Sequence, residues 1–582
     1  MMKKSQLLLL LIFQIGAVFA ANQTPDQVFF SEADKYFDSY LLPTNPTYAT
    51  LQGVHLYDAK LEDYSKNGIQ KEIATLNDFA KRFDAINPKA LSEQAQGDYD
   101  LVTNQIRGKL LTLQTIRPWQ QNPDYYSSGI TASAFAIMER KYAASNLRLE
   151  SLIEREKLMP AVLQNAKKNL RNVPKIFAEI ALEQLPELIQ FFQKDVPMAF
   201  SDVTDSTLKK QFNDSNAAVI AALQAYQNWL KQDLLPRSNG DFRLGAETYA
   251  KVLQYNEMVT TPLDKLIALD LENMQQNQKD FQRIASEVFP NKNLQDILVA
   301  IGANHPAPNK LLATFSATFD NLIRFLKEKK IITIPSDVRP IMEETPPFLR
   351  AITFASMDTP GPFEPAAKEA YFNVTLPAAD WTKERTDGFM RAFSYPLISS
   401  IAAHETYPGH YVQFIWMQNI HDRVRKLLGA MSNAEGWAHY SEQMILDEGF
   451  ATKAYGAKTE RDAKLLRLGQ LLEALLRNAR FIVGIEMHTG KMTYDQAIDF
   501  FVKEGYQSRE AGTVEAKRGT SDPTYLYYTL GKLQILKLRK DLEAKEGDKF
   551  NLQHFHDDFM KQGFPPIKIV RKALLHDDSP TL

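Results

Sequence analysis

The segment His404-Glu405-Thr406-Tyr407-Pro408-Gly409-His410 concentrates groups that could do chemistry. A His–Glu pair with a second His nearby is what metal-assisted hydrolysis needs. Two neutral imidazoles can hold a zinc ion, and the carboxylate beside the first His can reach water on that ion and take its proton. The spacing is unusual. In the ordinary motif the second His follows the first by four residues, and position 408 here is Pro. On a regular helix a six-residue step turns a side chain by about 240° and moves it about 9 Å along the axis. His404 and His410 can therefore share a metal only if the helix breaks between them, and Pro408 with Gly409 supplies a cause for a break.

A second run, Glu435-Gly436-Trp437-Ala438-His439-Tyr440-Ser441-Glu442, reads as helix. At helical spacing Glu435, His439 and Glu442 fall within about a 60° wedge, with Trp437, Tyr440 and Met444 on the opposite face. Glu435 is the expected third ligand, completing a His₂Glu set with one open position. Glu442 or His439 would then orient a ligand from behind. A donor for the developing oxyanion is also required, and Tyr527, Tyr528 and Arg518 are available.

Composition narrows the alternatives. The 582 residues contain no Cys, which excludes disulfides, thiolate metal sites and a Cys nucleophile, so a metal site must use His, Asp and Glu. A net charge of −2 argues against a nucleic-acid binder. Lys3 and Lys4 precede an apolar run from Leu7 to Phe19, and Val18-Phe19-Ala20 offers a cleavage site. That run is too short to span a bilayer comfortably, so residues 1–20 read as a cleaved signal. No Cys follows it to carry a lipid. The expected location is periplasmic or secreted, without a membrane anchor after signal cleavage.

The elements that must position these groups are mostly helical. Periodicity predicts helices over 25–41, 68–86, 90–115, 131–142, 146–170, 174–194, 206–234, 246–288, 462–487, 525–545 and 552–562. The apolar stripe of 462–487 reads as core and nothing more. β-branched and aromatic runs at 331–334, 339–342, 352–354 and 370–375 predict a small sheet over 331–376. The strand at 370–375 could pair with an extended peptide. Position 330 is the softest boundary, between a helical region 21–330 that would wall a cleft and a region 331–582 that would carry the site. Other histidines read as ordinary. His421 would lie about 16 Å along a helix from His410. His55, His305 and His576 read as surface residues, His488 as a cation favoured at a helix end, and His554 and His556 as capping or surface residues.

The two central motifs together resemble the bacterial domain-of-unknown-function family 885, whose members look like zincin metallopeptidases with a helical body. The spacing His404-Glu405 to Pro408-Gly409-His410 is that family's own, as is Glu435-Gly436-Trp437-Ala438 with Tyr440 and Glu442. Blocks at Asn45–Gly53, Arg117–Tyr125, Arg243-Leu244-Gly245, Tyr371-Phe372-Asn373, Tyr528 to Arg539 and Phe555–Gly563 are similar to family blocks. Tyr411 stands where many members have a further His. His439 replaces an aliphatic residue, which leaves its role open. The resemblance implies Zn²⁺ on His404, His410 and Glu435, with Glu405 as general base and Tyr528 as oxyanion donor.

The expectation is therefore a mainly α protein: a large helical body with a small β-sheet beside a zincin-like catalytic helix pair. It would hydrolyse peptides by metal-activated water. One alternative is a zinc hydrolase of another amide, such as a cell-wall peptide or an acylated amino acid. Another is a non-catalytic metal-containing binding protein, for which Glu405 would have no use.

Overall fold

Thr24 opens the first helix, Pro25–Tyr36, with a reciprocal cap. Its hydroxyl accepts from the Gln27 backbone at 3.3 Å, and the Gln27 side chain accepts from the Thr24 N–H at 2.9 Å. The computed structural model describes residues 23–345 and 354–582. The signal at 1–20 and Ile352-Thr353 of one expected strand lie outside them. Helix accounts for 71% and strand for 3%, so the chain is mainly α as expected.

Most helices follow the periodicity. The segments expected at 146–170 and 206–234 form Ser145–Asn169, and Ser206–Trp229 continued by a π turn over Leu230–Leu234. The expected 246–288 helix is instead two, Ala246–Glu257 and Leu263–Val288. Met258 takes a left-handed φ of 53° at the end of the first, and Pro262 disfavours helix at Thr261. The helix expected at 131–142 starts earlier and spans Asp124–Met138.

The small sheet has three strands: β1 (Ile341–Glu344), β2 (Ala355–Asp358) and β3 (Tyr371–Val374). Their order is β1-β3-β2, with β3 parallel to β1 and antiparallel to β2. Because β3 is central, neighbours already take its ladder groups on both sides. The expectation that 370–375 receives a peptide is corrected on that ground, and the outer edges belong to β1 and β2. The run at 331–334 is not a strand either. Ile331 and Ile332 are buried, and side chains satisfy the backbone. Thr333 N donates to Asp557 at 2.8 Å, Trp416 Nε1 donates to Thr333 O at 3.0 Å, and His556 Nδ1 bonds Ile331 O at 2.7 Å. His556 is thus fully buried, with its other nitrogen on the Tyr440 hydroxyl at 2.9 Å, rather than at the surface. Burial holds its pKa down at about 3, so it stays neutral.

Beneath the sheet, Leu311–Glu328 brings Phe315 and Phe319 each to 5.0 Å from the ring of Phe372, and Phe319 also meets Tyr407 at 5.7 Å. This core fixes β3 against the segment after His404. A second core joins residues of 249–301 to residues of 465–530, so apolar packing draws on both sides of position 330.

Six helices surround the candidate site: α1 (Tyr395–Glu405), α2 (His410–Met417), α3 (Met431–Asp447), α4 (Glu460–His488), α5 (Arg509–Ser521) and α6 (Tyr527–Glu546). α3 and α6 approach backbone to backbone. A Cβ on Gly531 would lie 1.8 Å from Ser432 O, and one on Gly436 would lie 2.5 Å from Gly531 Cα. We expect Gly531→Ala to force the two helices apart at a cost of about 1–3 kcal/mol. A lowered thermal midpoint is the predicted reading, and an unchanged midpoint would contradict this packing.

Candidate metal centre

The chain reverses directly after the first histidine. α1 ends at Glu405, and Thr406 leaves the helical region at φ −125°, ψ −74°. Thr406 N and Tyr407 N both donate to Ala402 O, at 3.0 and 3.1 Å, and Gly409 N donates to Ala403 O at 2.9 Å. The Tyr407–Pro408 peptide is cis. A Cβ on Gly409 would lie 1.7 Å from His404 O, so the chain folds against the helix end only because residue 409 has none. Trp437 of α3 donates from Nε1 to Pro408 O at 2.8 Å. α2 then starts at His410. This is the break that the six-residue spacing demanded.

The two imidazoles stand 4.9 Å apart, nearly perpendicular at 88°. Glu435 comes between them from α3. Its Oε2 lies 3.3 Å from His404 Nε2 and 3.5 Å from His410 Nε2. Among the described residues, this is the set of three His and carboxylate side chains whose donor atoms lie within 4.8 Å of one another. Around a tetrahedral ion with bonds of about 2.0–2.1 Å, ligand atoms sit about 3.3 Å apart. Glu435 Oε2 is buried without a hydrogen-bond partner. Three donor atoms therefore surround one point at metal-ligand spacing, and the residues fit a small divalent ion. His421 lies beyond the end of α2 and outside the set.

Glu442 lies directly behind His404. Its buried carboxylate accepts from His404 Nδ1 at 2.7 Å and from Ser400 Oγ at 3.1 Å, with Arg477 Nη2 3.4 Å away. With Nδ1–H so engaged, His404 turns Nε2 toward Glu435. Burial works against charge on His404, but Glu435 and Glu442 outweigh it and raise its pKa to about 10. Burial likewise opposes the charges of both carboxylates. His410 and His404 nevertheless hold Glu435, and Arg477 together with the hydrogen bond from His404 holds Glu442, well below the usual carboxylate range. The two buried carboxylates thus favour positive charge at this place. His439 is fully buried with Nδ1 3.4 Å from Glu442 Oε2, and burial together with Lys532 lowers its pKa to about 3. It is a neutral neighbour of Glu442 outside the ligand set.

Tyr528 lies beside the centre, its ring 6.5 Å from that of His404. The guanidinium groups of Arg477 and Arg480 face that ring at 5.4 and 5.2 Å. The Tyr527 ring lies 4.9 Å from that of Tyr528 at a tilt of 36°, and its hydroxyl meets Asp522 at 3.5 Å and Arg518 at 3.4 Å. Glu405 is half-buried, and its carboxylate makes no hydrogen bond or ion pair among the described residues.

The apolar stripe of α4 is core as expected, with Leu468, Leu475 and Ala479 fully buried. Off that stripe, Arg477 and Arg480 project to the site with side chains about 10% exposed, and two arginines three residues apart were the signal for this second face. His488, expected as a cation, is buried with Nε2 bonded to Gly519 O at 2.8 Å, and burial lowers its pKa. His55 is not an ordinary surface residue. It stacks on Tyr142 at 3.6 Å and bonds Asp58 at 3.1 Å and Glu364 at 2.9 Å.

The two carboxylates differ in kind. Glu442→Gln removes an orienting acceptor and is expected to weaken divalent-metal affinity about 10- to 100-fold. Glu435→Gln removes a ligand and is expected to weaken it further. Competition against a chromogenic chelator measures both, and a larger loss in Glu442→Gln would exchange their roles.

The comparisons agree with this fold. Two solved structures superpose on nearly the whole chain. One is a "putative lipoprotein of unknown function" from Shewanella oneidensis, at 23% identity and TM-score 0.78, covering 95% of this chain and 100% of that one. The other is a "putative lipoprotein" from Colwellia psychrerythraea, at 17% identity and TM-score 0.78, covering 95% of this chain and 99% of that one. At these identities the likeness is one of fold. No curated protein matches. Residues 46–574 match the family described as "Bacterial protein of unknown function (DUF885)". By that match, which takes in both histidines, Glu435 and the surrounding helices, the chain belongs to the DUF885 family.

Proposed function

We propose that the protein is a zinc-dependent metallopeptidase that works outside the cytoplasm. The observation that carries this reading is the placement of Glu435 Oε2 at 3.3 and 3.5 Å from two imidazole nitrogens. A His₂Glu set suits zinc, and in catalytic sites it leaves one position open. Bound zinc supplies a polarised carbonyl and an acidified water. His404, His410 and Glu435 would hold it, and Glu442 keeps His404 in the ligating tautomer.

Glu405 follows a ligand directly at the end of α1, and no protein group engages its carboxylate among the described residues. It is free to take a proton from water in the centre and to return it to the departing amine. Tyr528, whose ring lies 6.5 Å from that of His404, would donate to the oxygen that gains charge.

The leader at 1–20 supports a location outside the cytoplasm, as does the lipoprotein description of the two structural neighbours. No helix among the described residues is long and apolar enough to cross a membrane.

Glu405→Gln keeps the side chain's size but cannot accept the proton. We expect zinc content equal to the parent's and peptide hydrolysis slower by roughly 10²- to 10⁴-fold. Hydrolysis at the parent's rate would remove Glu405 as base, and loss of zinc would make it a ligand.

A further inference from the structure

Three guanidinium groups gather around Tyr528, and they differ in what remains free. Arg480 donates from Nε and Nη2 to both oxygens of Glu515 at 2.8 Å, a closed fork. Arg477 is held by Glu473 and Glu442. Both side chains are about 10% exposed. Arg518 of α5 is different. Its Nε and Nη2 share one oxygen, Asp522 Oδ2, at 3.2 and 3.0 Å, and Nη2 also reaches the Tyr527 hydroxyl. Its side chain is 37% exposed, and Tyr528 is among the groups that act on it. A planar fork with N–H groups to spare is matched to a carboxylate.

This cation lies on the His404 side of the centre, reached through Tyr528. On the His410 side, Phe414 lies 6.1 Å from the imidazole and borders a cavity of about 230 Å³ whose carboxylates are already matched, Asp358 by Arg140 and Glu364 by His55.

We infer that Arg518 anchors a substrate carboxylate, that of the peptide's free C-terminus, so that cleavage occurs close to that end. The inference rests on the metallopeptidase reading above and names its substrate class. Arg518 would act on specificity, separately from the hydrolytic step.

The test uses the purified full chain and three pentapeptides of one sequence: a free acid, its C-terminal amide, and the amide with Asp as last residue. We expect kcat/KM for the free acid to exceed that for the amide by about 10- to 100-fold. R518Q should erase this ratio and R518K should keep part of it, with circular dichroism unchanged. Recovery by the Asp-ending amide would assign the carboxylate to a side chain and still support Arg518 as its anchor. Equal cleavage of acid and amide by the parent, or a ratio that survives R518Q, would overturn the inference and leave the peptidase reading standing. Calorimetric binding of acid and amide to E405Q, with and without R518Q, needs no turnover. If the parent cleaves none of the three peptides, the peptidase reading fails. An acid preference in binding that R518Q removes then supports the carboxylate site on its own, and equal binding overturns it.

Discussion

The reversal between Glu405 and His410 is the constraint on which the site depends. Two histidines six residues apart cannot converge on one point along a continuous helix. Here the chain leaves α1 at Thr406, folds back on the carbonyls of Ala402 and Ala403, and restarts as α2. Gly409 is needed because His404 O occupies the space where a Cβ would stand. The reversal in turn needs a wall to lie against. Trp437 supplies it by binding Pro408 O from α3, the helix that also carries Glu435 and Glu442. Close contact of α3 with α6 at Gly436 and Gly531 then sets Tyr528 beside the same centre.

Buried charge holds this arrangement in one state. Glu442 is almost fully buried and is surrounded by His404, Ser400, Arg477 and His439. A carboxylate so placed is costly unless each lone pair finds a donor, and removing one donor strands the rest. Arg477 joins the two halves of the site, because it pairs with Glu442 behind His404 and faces the ring of Tyr528. Lys532 lies deeper. Its ammonium is fully buried without a hydrogen-bond partner, and burial lowers its pKa to about 8. The polar layer between α3, α4 and α6 is therefore specified by charge as well as by shape.

Much of this was legible in the sequence where the signal is local. The Pro408-Gly409 break followed from the geometry of a six-residue step. Glu435 and Glu442 followed from their place on one helical face. What escaped depends on contacts between distant residues. Arg477 and Arg480 sit on a helix whose dominant signal is its apolar stripe, and only the arrival of Tyr528 from α6 shows what they face. The run at 331–334 has strand residues, but Asp557, His556 and Trp416 take its backbone groups before a strand can. The same contacts bury His556, whose neighbours in sequence include the exposed His554. The central place of β3 likewise depends on pairing that no single segment reveals.

The central claim is that Glu435 and the two imidazoles enclose a zinc ion. Anomalous diffraction at the zinc absorption edge, from crystals of the purified protein, tests it most directly. The account predicts one strong peak bounded by His404 Nε2, His410 Nε2 and a Glu435 oxygen, each about 2.0–2.2 Å away. A zinc peak elsewhere in the molecule, or no peak at this triangle after soaking in zinc, would contradict it.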